Sequence, residues 1–111
     1  MESFHYEIMK TVLHPAVKLA ENRLRIHLKK YMPNARVWLF GSRALEKAGR
    51  GSDFDLAVQL SGSDSIACLE SFEEAVIADP EIIYPVDIVD LNTASSAIKD
   101  GVKRDGILWK S

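Results

Sequence analysis

Apolar positions at Val17, Ala20, Leu24, Leu28 and Tyr31 recur at the spacing of one helical face. They predict a helix with Pro15 in its first turn, where the missing N–H costs nothing, and a stop at Pro33-Asn34. Arg23, Arg25, Lys29 and Lys30 fall off that stripe, as on a solvated helix surface. Upstream, Phe4, Ile8, Met9, Val12 and Leu13 fit a short helix only loosely. The pattern then changes period. Residues 37–40 form a continuous apolar run with β-branched and aromatic character, which predicts a buried strand. A short helix over 42–48 and a glycine-rich loop over 49–52 lead to a second strand at 54–60. Ile66, Leu69, Phe72, Val76 and Ile77 give the next helix its apolar face, with Ser63 or Asp64 as cap and Asp79-Pro80 as stop. Pro85 opens a third strand at 86–91. Asn92 or Thr93 caps a last helix carrying Ala97, Ile98 and Val102, and the apolar segment 106–109 closes over the core. The order predicts an α/β (α+β) domain, a small mixed sheet packed against helices.

Composition narrows this further. At 111 residues the chain is expected to be one domain, 1–111, with a helical segment 1–33 ahead of a sheet-bearing core 35–109. A net charge of -2 gives no broad attraction to nucleic acid or an anionic membrane. The single Cys68 excludes an internal disulfide framework and points to a reducing, cytoplasmic setting. No apolar run approaches the roughly 20 residues of a membrane span, and Met1-Glu2-Ser3 does not begin a secretory signal.

The candidate chemistry lies between residues 37 and 60. Asp53 and Asp55 are two apart on a strand, so they project to one face with Phe54 opposed. Their repulsion is offset if a divalent cation sits between them, and Mg²⁺ suits oxygen ligands shared with substrate phosphates. Gly41 permits close backbone approach and a positive φ, and Ser42 offers a hydroxyl and N–H groups to a phosphate at a helix start. Arg43 adds charge suited to a triphosphate, unless it pairs with Glu46. Asp87 stands mid-strand among apolar residues, sharing a face with Val89 and Leu91, while Asp90 near the strand exit has solvent available. If Asp87 neighbours Asp53 and Asp55, three carboxylates converge, a set able to hold two Mg²⁺ ions. Each of these signals alone is weak; a charged pair at a strand start is commonly a turn.

Gly41-Ser42, ten intervening residues, then Asp53-Phe54-Asp55 and a later Asp87 resemble the signature of the DNA polymerase beta-like nucleotidyltransferase superfamily. The short length, the run FGSRA and the strand PVDIVDL are similar to its minimal nucleotidyltransferase (MNT) group. The resemblance runs from about Leu19 to Trp109 and makes 35–109 a catalytic core. It implies that Asp53, Asp55 and Asp87 are catalytic metal ligands, with Gly41, Ser42 and Arg43 holding the triphosphate. Glu46 departs from it, since many relatives have glycine there.

The implied activity is Mg²⁺-dependent transfer of a nucleoside monophosphate from ATP or another NTP, AMP where ATP is the donor, to an acceptor hydroxyl. Larger relatives carry a further lobe for the acceptor, so a partner is expected. The resemblance implies a helical HEPN-type toxin, with this chain as the antitoxin in a heterocomplex. Two other readings stand beside it: a non-catalytic nucleotide-binding or partner-binding module, and transfer to a small molecule such as an aminoglycoside with a separate subunit. Neither a nucleic acid nor a membrane is an expected partner. His5, His14 and His27 lack metal-site spacing. Asp64, Asp79, Asp100 and Asp105 read as caps or loops, and Trp38 as core. Tyr84 is a candidate for lining the site.

Overall fold

A computed structural model describes residues 15–41 and 53–110. The helix expected after Pro15 is α1, Pro15–Tyr31, and its buried residues Val17, Ala20, Leu24 and Leu28 are those of the predicted stripe. Strand β1, Arg36–Phe40, follows, and then β2, Phe54–Gln59. Helix α2 spans Ile66–Ala78 and buries Leu69, Phe72 and Val76. Strand β3, Val86–Asp90, helix α3, Ser96–Asp105, and strand β4, Ile107–Lys110, complete the order.

The four strands form one mixed sheet in the order β3-β2-β1-β4. β1 runs antiparallel to both β2 and β4, whereas β2 and β3 are parallel. Pleating sends alternate residues to opposite faces. One face carries Val37, Leu39, Phe54, Leu56 and Val58, packed into a single cluster with Leu24, Leu28, Leu69 and Phe72 of α1 and α2. The other face is thinner. There Ala57, Leu91 and Val102 of α3 form a second cluster with Trp38 and Phe40 alongside.

Two local expectations are corrected. The segment 106–109 is not merely a cover: from Ile107 it is strand β4, paired with β1 with a register shift between Val37 and Trp38. A four-residue strand carries too little periodicity to announce itself, and its partner lies some 70 positions upstream. The caps also move. Ser95, not Asn92 or Thr93, accepts from the Ile98 N–H at the start of α3. Ser65 occupies the α2 N-cap position without a side-chain cap bond, while Asp64 accepts the Asn34 N–H and so ties the α1–β1 turn to the β2–α2 turn.

Asp79 does end α2, but it is far from a bland cap. It is buried, accepts from Arg23 Nε at 2.8 Å and lies 2.8 Å from His27 Nε2, both on α1. Its other oxygen accepts the Glu81 N–H. These bonds hold its carboxyl down at about 2, with Arg23 the largest cause and His27 the next. Helical spacing placed Arg23 off the apolar stripe but gave no sign of a buried partner 56 residues on. The predicted elements at 2–13 and 42–48 and the loop 49–52 lie outside the described residues.

Candidate active site

The end of β1, the start of β2 and the start of β3 share one end of the sheet. Antiparallel pairing sets Phe40 against Asp55, and parallel pairing sets Asp55 against Asp87. Adjacent strands are about 4.8 Å apart, so the two carboxylates stand side by side on one face. That face is the thinner one, shared with Ala57 one pleat along. Thin cover leaves Asp53 and Asp55 half-buried and Asp87 exposed. Asp87 therefore carries no burial cost, contrary to what its apolar neighbours suggest. The reason is topological: β3 is an outer strand of the sheet.

Like charges directly opposite on neighbouring strands are unfavourable. Asp55 registers this. Its carboxyl is raised from the ordinary value by burial first, then by the charges of Asp87 and Asp53. Asp53 precedes β2 and still acts on Asp55 from two residues away. Among the described residues, no three acidic, His or Cys side chains form a ready-made metal cage. The convergence is thus one in-register pair with a third carboxylate in electrostatic reach. Such a set fits Mg²⁺, which commonly takes one or two carboxylates and completes its shell with substrate phosphates and water.

Gly41 follows β1 directly and adopts φ 72°. A Cβ there would collide with the Asp55 carboxylate. Only glycine combines that backbone with that proximity. Ser42 and Arg43, like Glu46, lie outside the described residues. Tyr84 does not join the carboxylates. Its ring meets Phe54 edge-on, 5.9 Å between centroids, on the opposite face of the sheet. Asp90 turns the chain instead, accepting the Asn92 N–H at 2.9 Å. No helix among the described residues is long and apolar enough to cross a membrane.

The chain is similar to known proteins. Residues 22–111 match the family described as "Polymerase beta, Nucleotidyltransferase". A probable protein adenylyltransferase, MntA, of Haemophilus influenzae is 29% identical over 77 residues, 69% of this chain and 67% of its own. A toxin–antitoxin crystal structure with AMP-PNP superposes with a TM-score of 0.65 at 26% identity, over 82% of this chain and 73% of the other. The toxin–antitoxin MntA–HepT gives 0.58 at 29% identity, over 85% and 73%.

Proposed function

The chain belongs to the polymerase beta nucleotidyltransferase family, and on that premise we propose that it transfers AMP from ATP to a hydroxyl of a HEPN-type protein, as the antitoxin of the pair. The observation that carries the reading is the in-register placement of Asp55 against Asp87 beside the positive-φ Gly41. The similarity to MntA and to an AMP-PNP-bound toxin–antitoxin supports the nucleotide and the partner.

In this reading Gly41 lets the chain approach the triphosphate, and Ser42 and Arg43 contact its oxygens. Asp53, Asp55 and Asp87 would hold Mg²⁺, two ions in the full site, which would supply positive charge where the triphosphate reacts. The acceptor oxygen bonds to the α-phosphorus as the bond from that phosphorus to its bridging oxygen breaks. The electron pair leaves on pyrophosphate. Asp87, the most exposed of the three, accepts the hydroxyl proton and passes it to water. The protein's contribution is positioning and electrostatics.

The test is incubation with labelled ATP, Mg²⁺ and the protein encoded beside this chain, repeated with Asp53→Asn plus Asp55→Asn. Label on the partner that disappears in the double variant supports the transferase. Silencing of the partner that survives both substitutions without label rejects it in favour of a binding module.

A further inference from the structure

On the α1 side of the sheet, α1 and β4 enclose a groove of about 270 Å³ lined by Arg25, Leu28, Lys29, Trp109 and Lys110. Arg25 lies 4.4 Å over the Trp109 ring and donates to the Trp109 carbonyl at 3.2 Å. Lys110 donates to the carbonyls of Pro33 and Ala35. All of these partners are neutral. Among the described residues none of the three cations is ion-paired, although Glu21 sits one turn before Arg25. Arg25, Lys29 and Lys110 thus crowd positive charge around one indole, and a bound anion would relieve it.

The surroundings say what kind of anion. β4 ends the sheet, so its outer edge has no strand partner among the described residues. Ile107 and Leu108 on it are 47% and 49% exposed, and Ile107 shares a face with Trp109. Cations beside exposed aliphatic side chains and a free strand edge suit an extended peptide with acidic and apolar residues. A nucleic acid would leave the aliphatic residues uncovered and meet a chain of net charge -2. We infer that the α1–β4 groove, with Arg25, Lys29 and Lys110 around Trp109, docks an extended acidic and apolar segment of the acceptor protein.

The inference deepens the transferase reading and rests on it for the existence of a protein acceptor. Its geometry suits that role. Ile107 pairs with Leu39, next to Phe40, which pairs with Asp55. A segment added to β4 would lie three strand spacings from β2, about 15 Å. That is near enough to hold an acceptor by a second point without obstructing the carboxylates.

The test uses the full chain without nucleotide and a fluorescein-labelled peptide of alternating glutamate and leucine, followed by anisotropy at low and high salt. Saturable, salt-sensitive binding is expected, weakened roughly tenfold by Lys29→Glu. Among the described residues Lys29 has no ion pair that this substitution would break, and an unchanged melting temperature checks the fold. Asp53→Asn plus Asp55→Asn should bind the peptide as the parent does. Absent binding, indifference to Lys29→Glu, or displacement of the peptide by a single-stranded oligonucleotide of equal charge would each overturn the inference. Because no ATP is present, peptide binding without label transfer rejects only the transferase reading. Label transfer without peptide binding rejects only the docking groove.

Discussion

Asp55 and Asp87 are register partners on the parallel strands β2 and β3, two carboxylates held side by side by backbone pairing. The sheet, rather than a loop, fixes their spacing. No hydrogen bond among the described residues relieves their repulsion, and the Asp55 carboxyl is raised from its ordinary value by burial first and then by the charges of Asp87 and Asp53. A divalent cation would complete this arrangement in the proposed reading.

Removing one charge should be visible in the other. Asp87→Asn is expected to lower the Asp55 carboxyl toward its ordinary value without restoring it fully, because burial is the larger cause. A carbon-detected NMR titration of the metal-free protein checks this. The same variant should bind Mn²⁺, used as a probe for Mg²⁺, more weakly.

Gly41→Ala combines a positive φ with a Cβ directed at the Asp55 carboxylate. The backbone strain alone is of order 1–3 kcal/mol. The variant should melt at lower temperature and lose nucleotidyl transfer, and calorimetry with an activity assay measures both. An alanine that leaves transfer intact would show that the turn is not held against Asp55.

Asp79 links α1 to the end of α2, and its depressed carboxyl sets a pH dependence. The sign follows from proton binding: with a folded value of about 2 against 3.8 for the free group, the unfolded chain binds the proton more readily. The stabilisation is therefore present above 3.8 and is lost as pH falls through about 2. Asp79→Asn should flatten that part of a denaturation-midpoint profile. At neutral pH Asp79→Ala should cost about 1–3 kcal/mol, since His27 loses its partner and Arg23 is left with Glu81 alone.

The helices α1 and α2 and the three longer strands were legible because they depend on local period, although β2 begins at Phe54 and leaves Asp53 just ahead of it. Val17, Ala20, Leu24 and Leu28 announce one helical face, and the alternation in β3 separates Asp87 from Asp90. What escaped was non-local. The pairing of β4 with β1, the outer position that leaves Asp87 exposed, and the Arg23–Asp79–His27 contacts all join residues distant in sequence. Tyr84 illustrates the same limit: its position before Pro85 suggested the site, but packing on Phe54 puts it on the other face.

Transfer of AMP, as opposed to phosphate or mere contact, is tested most directly by the position of the label. Parallel reactions with ATP labelled at the α- or the γ-phosphate, the neighbouring protein and Mg²⁺ should mark that protein from the α-position only. The label should vanish with Asp53→Asn plus Asp55→Asn. Label from the γ-position, or silencing of the partner with no label from either, would contradict the account.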